Sequence, residues 1–188
     1  MKKAVEIVNA SNNKIVNGDI ETMSDSHLAD FEIFWKPRLK ATDQEDKHWD
    51  WIKKRNVTDV QPNYERYALV CERITQGLML LEIDWHRSRL KPGKNLVYID
   101  FLATAPWNRK LIEEAQSYKH IGGNLIAFAI ERSFDLGYKG RIGLHSLSRA
   151  EEFYNRLKMT NFGEDIDKQK LKYFELSEEE ARKIMASD

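Results

Sequence analysis

Apolar and polar positions alternate weakly over residues 3–9, the two-residue period of a strand with one buried face. Between residues 27 and 55 the period lengthens, and Leu28, Phe31, Phe34 and Trp35 recur at helical spacing. Pro37 interrupts that pattern and predicts a break or kink, so we read two short helices, the second near residues 43–54. The apolar runs "YALVCERI" and "GLMLLEID", joined through Thr75-Gln76-Gly77, predict an antiparallel hairpin. After the turn signal Pro92-Gly93, "NLVYIDFLAT" is apolar enough for a central strand. It stops at Ala105-Pro106, because proline cannot donate to a ladder.

Residues 107–120 read as a polar connection with a helical turn in "RKLIEEAQ". From Gly122 to Leu136 the pattern is helical: Leu125, Ala129 and Ser133 line one face, and Ile126, Ile130 and Phe134 its neighbour. So broad an apolar surface suits a helix packed flat on a sheet. Gly137 reads as its left-handed cap, with Tyr138 placed for the accompanying contact. The strand "RIGLHSL" follows, then a helix "RAEEFYNRLKM" whose capping box is Ser148 and Glu151. A last strand, "KLKYFEL", precedes a second box, Ser177 and Glu180, for a helix over 178–186. Strand, helices, hairpin, strand, helix, strand, helix, strand, helix is the order of a mixed α/β fold of the α+β kind.

The chain's 188 residues suit one domain, residues 1–188, able to bury about 70 % of its unfolded surface. Lys plus Arg and Asp plus Glu both number 30, and this zero net charge argues against a broad nucleic-acid footprint. One cysteine, Cys71, excludes an intramolecular disulfide and reads as a small buried hydrophobe. Glu6 and Asn9 interrupt the N-terminal apolar stretch that a signal peptide needs, and no run reaches membrane length. A cytoplasmic protein with no membrane partner is the expectation, and the sequons at Asn9 and Asn56 are then chance matches. The five histidines show no metal-ligand spacing, so no metal is expected.

Candidate chemistry gathers in "SYKHIGGNLIAFAI", residues 117–130. A glycine pair opening a helix makes either a sharp turn or a cradle for an anion. In a cradle the unpaired amides of the first turn and the helix dipole face the ligand, and glycine lets it come close. No Lys-Ser/Thr pair follows as in a P-loop, and the three spaced glycines of a dinucleotide fingerprint are missing.

Together, "VYIDFLATAP", the glycine turn, "NLIAFAIERSFDLGY", "RIGLHSL" and "RAEEFYNRL" resemble the core of the GNAT superfamily of acyl-CoA-dependent N-acetyltransferases, over residues 95–162. The resemblance implies a mixed, mostly antiparallel central sheet flanked by helices, with a splayed central strand pair. It implies acetyl-CoA as cosubstrate and an amine-bearing acceptor. Gly122 falls on the final Gly/Ala of the family's pyrophosphate turn and Ile121 on the variable position. Tyr118, Lys119, His120, Gly123 and Asn124 complete the implied cradle. Leu102, Ala103 and Thr104 fall where backbone groups meet the pantetheine arm. "AEEFYNRL" is similar to the family's A-x-x-x-Y helix and implies Tyr154 as the general acid for the departing thiolate, with Asn155 reaching the CoA arm. His120 stands where the family places a glycine, and Ser117 where it places Gln or Arg. The first half of the chain would then supply the acceptor-side helices and hairpin.

Acetyl transfer needs a neutral amine, a stabilised oxyanion and a proton for the thiolate. Backbone amides near Leu102–Thr104 suit the second need. A phenol that stays protonated at neutral pH suits the third. For the base we expect Asp100, acting through water, with Glu82, Asp84 and His145 as alternatives. Trp35, Trp49, Trp51, Trp85 and Trp107 offer aromatic walls for an apolar or cationic acceptor, or core packing. Two other readings stand beside this one: a non-catalytic CoA-binding or protein-interaction module on the same fold, and an acyltransferase acting on a protein or a charged RNA. Assembly as a homodimer is compatible with all three.

Overall fold

The structure is a computed structural model and describes residues 2–186. Nine strands hydrogen-bond in the order β6-β1-β2-β3-β4-β5-β7-β9-β8. They are β1 (Lys2–Asn9), β2 (Ile15–Thr22), β3 (Tyr64–Cys71), β4 (Ile74–Glu82), β5 (Val97–Thr104), β6 (Tyr118–Lys119), β7 (Ile142–Ser146), β8 (Thr160–Asp165) and β9 (Leu171–Leu176). The helices are α1 (Asp25–Asp30), α2 (Lys36–Lys40), α3 (Trp51–Asp59), α4 (Ile121–Asp135), α5 (Glu151–Arg156) and α6 (Glu178–Met185). The sheet is mixed and mostly antiparallel, with β5 and β7 as its parallel pair. That parallel ladder matches only Val97–Ile99 to Ile142–Leu144, although β5 runs on to Thr104. The expected α/β class holds. By contact density the chain forms two compact units, Met1–Leu80 with Phe101–Leu125 and Leu81–Asp100 with Ile126–Asp188.

In the first unit Pro37 neither ends the helical run nor stands alone in it. Residues 31–35 between α1 and α2 form a π turn in which the Lys36 amide reaches Phe31 O. The wide turn comes just ahead of a proline that cannot donate, so the chain stays helical from Asp25 to Lys40. Phe31, Trp35 and Leu39 all point into a core shared with Trp51, Leu78 and Ala103. Asp30 fastens the helix to β4, its Oδ2 accepting from Thr75 N at 2.9 Å and Thr75 Oγ1 at 2.7 Å. Thr75-Gln76-Gly77 therefore lies inside β4, not in the turn. The turn is Glu72-Arg73, with φ of 50° and 65°, the two left-handed residues of a tight hairpin. Gly77 instead marks a close approach, for a Cβ there would meet Leu125 Cδ1 at 2.8 Å.

Strands β2 and β6 lay outside the sequence expectation. "IVNGDIET" carries Asn, Gly and Asp, which mask its period, and β6 is only two residues long. The expected helical turn in residues 109–116 is a single turn, in which the Glu113 and Ile112 amides both reach Arg109 O at 2.9 Å, and a 3₁₀ turn forms upstream at Pro106–Asn108. The second predicted helix of the 27–55 region is displaced, to a 3₁₀ turn at Glu45–His48 and α3, which Asp50 caps by accepting from Lys53 N at 2.9 Å.

In the second unit α4 ends as read: Gly137 has φ of 76°, and the Tyr138 amide reaches back to Ser133 O at 2.7 Å. Ser177 caps α6, accepting from Glu180 N at 3.2 Å. Ser148 does not cap α5. It opens a 3₁₀ turn, Ala150 holds the N-cap position without a side-chain bond, and Glu151 pairs with Lys172 at 2.7 Å. Strand β8, missed because its side chains are polar and exposed, lies at the sheet edge beside β9. Its register with β9 shifts between Asn161 and Glu164, around Gly163 at φ of 80°.

Gly140 has φ of 79°, and a Cβ there would come within 2.6 Å of the Phe134 ring and 2.7 Å of Ala181 Cβ. At Gly137 the same Cβ meets nothing within 4 Å. Gly137→Ala should cost about 1–2 kcal/mol, the left-handed penalty alone. Gly140→Ala should cost that plus about 1–3 kcal/mol of overpacking. Urea denaturation of the two variants checks the order.

Candidate active site

The glycine turn is built by the connection between β5 and α4. Trp107 Nε1 and Asn108 Nδ2 both donate to Gln76 Oε1, at 2.8 and 2.9 Å, and Asn108 Oδ1 accepts from Tyr118 N at 3.0 Å. The Ser117 amide donates to Trp107 O at 2.9 Å, closing the connection on itself, and β6 then pairs with Val8 and Asn9 of β1. Arg109 pins the near side through two bonds to Asp46 (2.8 and 2.7 Å) and one to Thr104 O (2.8 Å). None of Gln76, Asn108, Arg109 and Asp46 stood out in the sequence, because the pairs lie 32 and 63 residues apart.

His120 follows with φ of 68°. This is the left-handed conformation where the family pattern carries glycine, and a non-glycine residue adopts it at a cost. Its side chain is exposed, and its carbonyl accepts from Asn124 N at 2.9 Å, which starts α4. The amides of Ile121, Gly122 and Gly123 occupy the first turn, where a helix supplies no acceptor. A Cβ on Gly123 would meet nothing within 4 Å. The other expected cradle groups have local partners. Tyr118 OH donates to Glu72 at 2.8 Å, Lys119 Nζ to Asn13 Oδ1 at 2.9 Å, and Asn124 Nδ2 to Glu6 O at 2.9 Å. On β5, Ala103 is buried while Leu102 and Thr104 are half-buried.

Tyr154 lies in α5, 7 % exposed, against Phe153 and Phe174. Burial pushes its phenol well above the ordinary tyrosine value. The hydroxyl makes no hydrogen bond to another described residue, and it is not one of the buried atoms left without a partner, so the oxygen itself reaches solvent. Asn155 is exposed, and Asp100 is half-buried on β5.

His145, an alternative base, is committed elsewhere. Its Nδ1 lies 2.7 Å from Tyr98 OH and its Nε2 3.2 Å from Asp165 Oδ2, which also accepts from Arg89 at 2.6 Å. Burial lowers the His145 pKa, against the opposing pull of Asp165. His86 stacks on Tyr98 at 3.8 Å. Glu82, another alternative, is buried with Oε2 3.0 Å from His86 Nδ1, yet that approach is not a hydrogen bond and Nδ1 is left without one. Asp84 is exposed and accepts from Tyr138 OH.

No family model and no curated protein matches the chain. Solved structures do. The AtaT toxin bound to the C-terminus of the antitoxin AtaR superposes with a TM-score of 0.55 at 16% identity, over 91% of this chain and 98% of that one. An acetyltransferase from Thermus thermophilus gives 0.52 at 14% identity, over 85% and 96%. An aminoglycoside N-acetyltransferase in complex with CoA gives 0.51 at 12% identity, over 75% and 84%. At these identities the likeness is one of fold. No helix among the described residues is long and apolar enough to cross a membrane.

Burial first, then the positive charges of Lys168, His145 and Arg89, hold the His86 pKa at about 4 against an ordinary 6.5. Between those values the unfolded chain binds a proton that the folded chain refuses. Stability should therefore rise with pH through that window and be lost as pH falls, by on the order of 2 kcal/mol from this group. Urea midpoints measured from pH 4 to 7.5 should show the slope, and His86→Gln should flatten it.

Proposed function

We propose, for a chain that has the fold of the GNAT acetyltransferases, that it is an acyl-CoA-dependent N-acetyltransferase moving an acetyl group from acetyl-CoA to a primary amine. One observation carries the reading. A left-handed residue, His120, hands the chain directly to a fifteen-residue helix whose first three amides lack intrahelical acceptors and whose second and third residues are glycines. The chain accepts backbone strain at a non-glycine residue to aim those donors. Glycine in a helix also costs up to about 1 kcal/mol against alanine, less in the first turn than mid-helix, and Gly123 has room for a methyl group that the protein itself would not contest. Both costs make sense if the space is kept for the pyrophosphate of CoA.

In this reading the amine nitrogen attacks the thioester carbonyl, and β5 amides near Leu102–Thr104 stabilise the oxyanion. As the C–S bond breaks, the Tyr154 phenol gives its proton to the sulfur. Its unpaired hydroxyl supports that role, because a phenol kept protonated by burial has its donor free for the leaving group. Asp100, acting through water, takes the proton from the attacking amine. Asn155 and the residues Tyr118 to Asn124 line the CoA arm and its diphosphate.

Thiol release from acetyl-CoA across a panel of primary amines tests the activity, and no release with any amine sinks it in favour of a non-catalytic module. Tyr154→Phe should lower kcat by about 10²–10⁴ with the KM for acetyl-CoA nearly unchanged. Gly123→Ala should raise thermal stability by about 0.5–1 kcal/mol while weakening CoA binding. Unchanged CoA affinity in that variant would reduce the glycines to a turn.

A further inference from the structure

The first unit holds a cavity of about 360 Å³ between the second half of the α1–α2 run, the β3–β4 hairpin and the connection after β5, and of the residues placed on CoA it is lined by Tyr118 alone. Its walls include Phe34, Ile74 and Trp107. Phe34 is 42 % exposed, large for an aromatic side chain, and the Trp107 indole is fixed in place by its bond to Gln76. The cavity is open, with Phe34, Arg38 and Glu72 exposed, and it has the size and the mix of aromatic walls and polar groups that a small-molecule site needs.

The charged groups that line it are Arg38 and Glu72. The Arg38 guanidinium lies 5.0 Å from the centroid of the Trp107 ring, and among the described residues it makes no ion pair. Glu72 is held by a tyrosine rather than a cation: Tyr118 OH donates to its Oε2 at 2.8 Å, leaving Oε1 unused. Glu72 also sits at φ of 50° in a hairpin turn that glycine or asparagine would fill without strain. Backbone cost at a non-glycine residue marks positions that structure elsewhere over-determines. Here it places a carboxylate at the edge of an aromatic cavity. A guanidinium and a carboxylate facing one space without meeting are complementary to a ligand that carries both opposite charges.

We propose that this cavity binds a zwitterionic α-amino acid with an apolar or aromatic side chain. Arg38 takes the carboxylate, Glu72 takes the ammonium, and the side chain lies against Phe34, Ile74 and Trp107. The site stands independently of acetyl transfer, since it rests on the cavity and its two charges, so its test uses no acetyl-CoA. Calorimetry with L-phenylalanine should show saturable binding. N-acetyl-L-phenylalanine, which lacks the cation, and L-phenylalaninamide, which lacks the carboxylate, should each bind at least about tenfold more weakly. Arg38→Gln and Glu72→Gln should each weaken L-phenylalanine by about tenfold or more, with thermal unfolding confirming that both variants fold. Absence of binding at millimolar L-phenylalanine overturns the proposal. So does equal affinity for either blocked derivative, or affinity unmoved in both folded variants.

Discussion

The buried amide of Gln76 is the contact on which the candidate site depends. It is 2 % exposed, and its Oε1 accepts at once from Trp107 and Asn108, while its backbone oxygen accepts from Ala105. A polar side chain taken out of water must have its bonds met, or it costs on the order of 1–3 kcal/mol per unsatisfied group. Gln76 therefore fixes the connection in one arrangement, and Asn108 passes the constraint to Tyr118. Two residues further on, the chain reaches His120 and the first turn of α4. The position of three backbone amides thus depends on a side chain of a neighbouring strand, helped by the Arg109–Asp46 pair and the pairing of β6 with β1.

The same logic separates what the sequence showed from what it hid. Strands β3, β4, β5, β7 and β9 announce themselves as apolar runs, β4 and β7 being buried at almost every residue, and helices α4 and α6 through period and caps. Strand β2 does not, since its glycine packs under Ile7 and its polar residues break the alternation. The hairpin turn was displaced by Gly77, which looks like turn chemistry but serves close packing. Pro37 looked like a stop, and a single π turn accommodates it, which no local pattern signals.

Of the candidate site, the glycine turn and the tyrosine helix were legible, because each is a contiguous motif. The partners that place the turn were not. Gln76 with Asn108 and Asp46 with Arg109 are ordinary polar residues until the fold brings them together. The individual commitments of Tyr118, Lys119 and Asn124 were equally hidden, for a donor's partner cannot be read from the donor. Among the expected bases, His145 shows the same limit: its two ring nitrogens are engaged by Tyr98 and Asp165, 47 and 20 residues away.

The two ends of the sheet bear on a different matter, what the protein does in a crowded solution. An unpaired strand edge is a template on which another chain can grow a sheet. Here one edge strand, β6, is two residues long, too short to seed a ladder. The other, β8, is broken by a bulge at Gly163 and carries Glu164 and Asp165 beyond it. Strand β6 covers only Val8 and Asn9 of β1, so Lys2–Ile7 form the rest of the first margin, and they carry Lys2, Lys3 and Glu6; β6 and the bulged β8 leave no long apolar row beside them. Charged residues thus stand at both margins, and they disfavour the growth of the sheet into another chain in a crowded solution.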